Sequence, residues 1–176
     1  APYVYGDSNW KDKVTAIGGK AITYDAIGNP LTYDGWTFTW KAGRMLASMV
    51  KSGTNAQFTY DHNDLRIKKV VNGVTTNYTL NGKNVVHMTQ GSHDLHFFYD
   101  AQGKPGMVTY NDVDYFYVYN LQGDVVALID ANGTQVVEYG YDAWGNPISK
   151  TGTLAATLGT LNPFRYRGDA RYGKPI

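Results

Sequence analysis

Residues 24–30 read YDAIGNP and residues 141–147 read YDAWGNP. The two copies differ only at Ile27 and Trp144, both apolar. Their chemistry is that of a tight loop closing a strand. Asp25 can accept backbone N–H groups two or more residues on, in an Asx-turn. Gly28 takes a positive φ at little cost. Asn29 tolerates the same region, and Pro30 stops further pairing and sets the exit direction. Tyr24 ends the preceding strand, with its hydroxyl available to water or to a main-chain group. The second copy repeats each role with Tyr141, Asp142, Gly145 and Asn146.

Working outward, the same pattern recurs in looser form. Trp40-Lys41 leads to Gly43, one residue early. Tyr60-Asp61 leads to Asp64, Tyr78 precedes Asn81-Gly82, and Tyr99-Asp100 leads to Gly103. Tyr119-Asn120 leads to Gly123 and Asp124. The aromatic leaders recur about every 20 residues, a period that marks a repeat protein. Between them lie Asn72-Gly73, Asn81-Gly82 and Asn132-Gly133, read as type I′ hairpin turns with positive φ at both central residues. Stretches such as DYFYVYN and DVVALID are rich in β-branched and aromatic residues. These features predict an all-β chain of consecutive antiparallel hairpins, forming a curved or spiralling sheet. KAGRMLASM has a helical composition, but its register within the repeat favours a turn and a strand. One short helix is expected near 154–161, where a Thr of the Thr151-Gly152-Thr153 stretch can cap. The expected division is a hairpin strip over 1–150 and a distinct terminal segment over 151–176.

Composition agrees. Gly is 20 and Tyr 15 of 176 residues, and Gly at about 11 per cent exceeds the usual 7 per cent or so. The formal net charge is +1, so bulk charge points to neither nucleic acid nor an anionic membrane. Cysteine is absent, which excludes disulfides and thiolate chemistry. No apolar run approaches a membrane span, and residues 1–10 do not read as a signal peptide.

Few groups invite a catalytic reading. Ser92, His93 and Asp94 adjoin in SHDLH, but neighbours in a strand point to opposite faces and do not converge as a triad must. His93 and His96, three apart, also face opposite ways, so solvated strand histidines are expected rather than a metal pair. Asp25, Asp61, Asp100 and Asp142 fall one per repeat. That spacing suits loop capping better than a paired-carboxylate cleft or a loose Ca²⁺ site. No catalytic residue, metal or cofactor is therefore expected. Trp10, Trp36, Trp40 and Trp144 are candidates for stacking on sugar rings, and equally for filling the sheet face. RGD at 167–169 is an adhesion tripeptide too short to carry an assignment.

Over most of its length the chain resembles the YD-repeat, or Rhs (rearrangement hotspot), family of bacteria. The carriers are TYDAIGNPLTYDG, FTYDHNDLRIKKVVNGVTTNYTL, FFYDAQGKP, YNLQGDVVALIDANGTQVVEYGYDAWGNP and NPFRYRG. The resemblance is to the end of the repeat region in Gram-positive wall-associated and polymorphic toxins. It implies a secreted or cell-surface protein whose sheet coils into a shell around a C-terminal toxin. The function expected is a non-catalytic structural module, with an adhesive, carbohydrate-binding module as the alternative. Its expected partners are the parent chain and the toxin, with edge-to-edge self-association where strands end unpaired. A glycan is a further candidate partner; nucleic acid and a membrane span are not expected. In the family NPFRYRG is followed by a Tyr-rich segment and a self-cleavage motif. Here DARYGKPI follows instead, so a segment ending before the cleavage motif and toxin is expected, with any export signal upstream.

Overall fold

The computed structural model describes residues 1–168. It is built almost wholly of antiparallel strands, sixteen in number, each paired with its neighbours in chain order. The chain falls into two compact units, Ala1–Thr76 and Asn77–Ile176.

The first unit holds β1 (Tyr3–Val4), β2 (Ala16–Ile17), β3 (Lys20–Tyr24), β4 (Pro30–Tyr33), β5 (Trp36–Lys41), β6 (Met45–Lys51), β7 (Thr54–Tyr60) and β8 (Arg66–Val71). KAGRMLASM is thus a turn and a strand. Alternation drives its packing. In β7 the side chains of Ala56 and Phe58 are buried while Asn55, Gln57 and Thr59 are exposed. Leu46, Met49, Ala56 and Phe58 form a small core, edged by Trp36, Phe38, Trp40 and Tyr60.

β9 (Val74–Asn81) straddles the boundary between units. The second unit continues with β10 (Asn84–Gln90), β11 (His93–Tyr99), β12 (Pro105–Tyr110), β13 (Val113–Tyr119), β14 (Val125–Ile129), β15 (Gln135–Tyr141) and β16 (Pro147–Thr151). The chain then folds back as α1 (Leu158–Leu161) and a 3₁₀ turn over Tyr166–Gly168. The helix is shorter than the expected 154–161 and begins beyond the Thr151-Gly152-Thr153 stretch. Thr157 precedes it and makes no side-chain capping bond, so the helix stands by packing. A one-layer sheet has no core on its own. Here the returning segment covers one face: Leu158 and Phe164 join Leu95, Phe97, Val108, Val125, Leu128 and Val137 in a single cluster.

Two kinds of connection alternate. Tight two-residue turns follow most even-numbered strands, as at Gly18-Gly19, Asp34-Gly35, Asn72-Gly73 and Asn111-Asp112, with both residues at positive φ in each. Longer loops follow most odd-numbered strands. Two of the expected Asn-Gly turns prove different. Asn81 belongs to β9, and the turn there is Gly82-Lys83 with Gly82 at φ +58°. Asn132-Gly133 lies inside a longer loop opened by Asp130. An Asn-Gly dipeptide is compatible with both, and the acid two residues earlier decides. Tyr78, read as a repeat leader, is instead buried mid-strand in β9.

Candidate functional site: a repeated loop, its latch and a docked segment

Six loops share one hydrogen-bond scheme. In the first, the amide of Asp25 donates to the Asn29 carbonyl (2.9 Å) and the amide of Gly28 donates to the Asp25 carbonyl (3.2 Å). Asp25 Oδ1 accepts the amides of Ile27 and Asn29 at 3.0 and 2.8 Å. The loops opened by Asp61, Asp100, Asn120, Asp130 and Asp142 repeat these four bonds. The scheme needs a short acceptor first and a left-handed residue fourth. Gly28, Gly103, Gly123, Gly133 and Gly145 fill the fourth place, and Asp64 fills it at φ +61° in the Asp61 loop. Where Asn120 replaces the leading Asp, the fifth residue becomes Asp124, and Asn120 Nδ2 donates to Asp124 Oδ2 at 2.7 Å. The two YDA-GNP copies show the mirror arrangement, Asn29 to Asp25 and Asn146 to Asp142, each 2.8 Å. The Asn146 amide group, then backbone N–H groups, hold the Asp142 carboxyl below its usual range. For Asp25 burial pushes upward, but the amides of Asn29, Ile27 and Gly28 outweigh it. Both carboxylates are therefore charged at neutral pH.

The leading aromatic closes the opposite strand. Tyr60 Oη donates to the Leu46 carbonyl (2.9 Å), Tyr99 to Val85 (2.7 Å), and Tyr141 to Val125 (2.8 Å). Tyr24 and Tyr119 bond Val14 and Pro105 in the same way. Trp40 plays the part with its indole N–H on the Pro30 carbonyl at 2.7 Å. Each hairpin thus has a turn at one end and a latch at the other. We expect Tyr99→Phe to lower stability by about 1 kcal/mol, read as an earlier urea midpoint with an unchanged slope. No change would mean that water satisfies the Val85 carbonyl equally well.

The two near-identical copies differ from the other three glycine-bearing loops in what covers them. A Cβ on Gly28 would meet the Trp10 ring at 2.7 Å, and one on Gly145 would meet the Tyr166 ring at 2.5 Å. Nothing lies within 4 Å of the same point on Gly103, Gly123 or Gly133. Each YDA-GNP loop is therefore a seat for an aromatic ring from outside the hairpins. This places Trp10 on a loop and Trp40 in a latch. Trp36 lies against Phe38, with Lys51 over its ring. Trp144 is 87 % exposed.

Asn162-Pro163-Phe164-Arg165 docks the returning segment. Asn162 Oδ1 accepts the buried Tyr117 hydroxyl at 2.7 Å. Arg165 lies over the Tyr139 ring at 4.1 Å. Its guanidinium donates to Tyr139 Oη (2.9 Å) and to the Gly159 carbonyl (2.6 Å). The Val125 amide donates to the Arg165 carbonyl, and the Arg167 amide to Asp124 Oδ1. A cleft remains beside this junction, lined by Asp124, Tyr139, Tyr141, Asp142, Tyr166 and Arg167. Burial pushes the Tyr117 hydroxyl well above its ordinary pKa. It raises Tyr139 too, with Arg165 pulling partly back. A raised folded-state pKa gives stability that is complete below the unfolded value, about 10, and lost above it. The melting temperature should hold from pH 7 to about 9.5 and fall steeply beyond, and less steeply in Tyr117→Phe. Equal slopes in the two proteins would show that this hydroxyl is not the titrating group.

SHDLH does not assemble a triad. Ser92 lies in the turn between β10 and β11, and His93 Nδ1 pairs with the Tyr110 hydroxyl at 2.7 Å. Asp94 meets two other histidines, His96 and His87. The Asp94–His96 spacing of two, which puts both on one strand face, was the available signal. Asp169, the last residue of RGD, lies outside the described residues. Among the described residues no helix is long and apolar enough to cross a membrane.

Residues 5–163 match the teneurin YD-shell family. The chain is 36 % identical over 167 residues to the tRNA nuclease WapA of Bacillus subtilis strain 168. It is equally similar to the tRNA3(Ser)-specific nuclease WapA of Bacillus spizizenii. In both, the match covers 91 % of this chain but only 7 % of the relative. Among solved structures, a Photorhabdus luminescens Tc holotoxin pore superposes with a TM-score of 0.59, covering 85 % of this chain and 8 % of that one. The TcdB2-TccC3 crystal structure gives 0.58, covering 84 % and 8 %. Both are 15 % identical, so they speak to the fold alone.

Proposed function

Because the chain belongs to the teneurin YD-shell family, within the YD-repeat (Rhs) group, we propose that it is a length of shell wall that encloses the C-terminal toxin of an exported bacterial protein. The observation that carries this reading is the string of loops with one shared hydrogen-bond scheme on strands paired in chain order. Such a wall is additive: each hairpin needs only its neighbours, and more repeats make more wall. The loop carboxylates are committed to backbone N–H groups within their own loops, which favours a building role over acid–base chemistry. The nuclease activity named for the WapA relatives belongs to proteins more than ten times as long, and is assigned here to a neighbouring segment of the parent protein. The docked Asn162–Arg165 segment supports the same reading, since Phe164 packs into the apolar cluster of the sheet as a structural cover.

The test uses the parent protein. Limited proteolysis should leave the segment beyond the YD repeats intact for as long as the wall is folded, and release it to digestion in urea. Digestion at the rate of the isolated toxin would end the enclosure reading. The purified chain should also leave tRNA uncut. Turnover that disappears in Asp or His variants would make it a hydrolase instead.

A further inference from the structure

The hairpin β10–β11 carries a cluster that the shell role does not use. Its register pairs His87 with His96, directly opposite one another across the two strands. Their rings stack with centroids 4.2 Å apart and planes within 17°. Asp94 stands two residues before His96 and so shares its face. Asp94 Oδ1 lies 3.1 Å from His87 Nε2 and 2.9 Å from His96 Nε2. Leu95 and Phe97, which alternate with these residues, are buried. The cluster therefore occupies the opposite face of the hairpin, with His87 and Asp94 partly covered and His96 more than half exposed.

From this geometry we propose that His87, Asp94 and His96 form a binding site for a borderline divalent transition cation, with Zn²⁺ as its representative. Two imidazoles and a carboxylate are a donor set such ions prefer over Ca²⁺ or Mg²⁺. A tetrahedral ion with bonds of about 2.0–2.1 Å needs donors about 3.3–3.4 Å apart. The two nitrogens already stand near that distance from one carboxylate oxygen, and all three donor atoms lie within 4.8 Å of one another. Small rotations of these three side chains complete the set. The remaining position faces solvent and takes water. The ion would cross-link β10 to β11 at a fixed register, clipping one hairpin of the wall.

Calorimetric titration of the purified chain with ZnCl₂ should give one site per chain. His87→Gln and His96→Gln should each weaken it at least tenfold, and Asp94→Asn should weaken it measurably. His62→Gln and His93→Gln should not. Far-ultraviolet circular dichroism checks that each variant is folded. Addition of Zn²⁺ should raise the melting temperature of the wild type and of His62→Gln, but not of His87→Gln. Imidazole nitrogen NMR shifts should move at His87 and His96. Absence of saturable binding would overturn the proposal, as would binding that survives both His87→Gln and His96→Gln.

Discussion

Phe164→Ala should unfold the second unit at a markedly lower temperature than wild type. Phe164 is 3 % exposed and stands edge-on to three rings, Phe97, Tyr117 and Tyr99, at 5.3, 5.9 and 6.0 Å. Truncating a phenylalanine so placed costs about 3–5 kcal/mol. In a unit of this size, Asn77–Ile176, each kcal/mol is worth about 4–8 °C. The loss should exceed that single cavity. Phe164 lies between Asn162 and Arg165, so its departure loosens the bonds to Tyr117 and Tyr139. The alkaline limit of stability should move downward in the same variant. Phe98→Ala is the control: it removes the same atoms from a neighbouring position that is 48 % exposed. It should cost no more than about 1 kcal/mol. Similar losses in the two variants would show that the returning segment is not what covers the sheet.

Gly145→Val should be far more damaging than Gly133→Val, although the two loops share every backbone hydrogen bond. Both glycines have φ near +80°. A β-branched residue resists that region, at about 1–3 kcal/mol of strain. At Gly133 that is the whole cost, because the space around it is open. At Gly145 the new side chain also meets the Tyr166 ring, and the ring must lift away. Gly28→Val should likewise exceed Gly133→Val, by displacing Trp10. The comparison is read from urea midpoints of the three variants. Equal midpoints would mean that the rings rest on the loops without being held there.

The loops were legible because their chemistry is local. Asp, two residues, Gly and one more residue contain every donor and acceptor of the scheme, so YDAIGNP announces its own closure. The β-class followed from the same turns and from alternation. The latches were only half legible. Tyr60 announces a hydroxyl at a strand end, but its acceptor, Leu46, lies fourteen positions back and is set by the register of β6 with β7. Asn132-Gly133 misled because a two-residue window cannot see Asp130. The histidine cluster failed for a related reason. His93 and His96 lie three apart in the chain and are read together, whereas His87 reaches His96 only once Gly91-Ser92 has set the pairing of β10 with β11. Asn162 and Arg165 carry no periodicity at all. Their work is to satisfy tyrosine hydroxyls from other strands, which no spacing within NPFRYRG reveals.

The tyrosine latches bear on how such a wall comes to exist. Each one joins the end of a strand to chain only 10 to 16 residues earlier, so a hairpin is complete as soon as its own short span of chain is available. Assembly through near neighbours lets a repeat array grow from one end without waiting for distant sequence. A chain threaded outward through a narrow pore can therefore harden in the order in which it emerges. Near its end the described chain lays Phe164 against rings that are already in place.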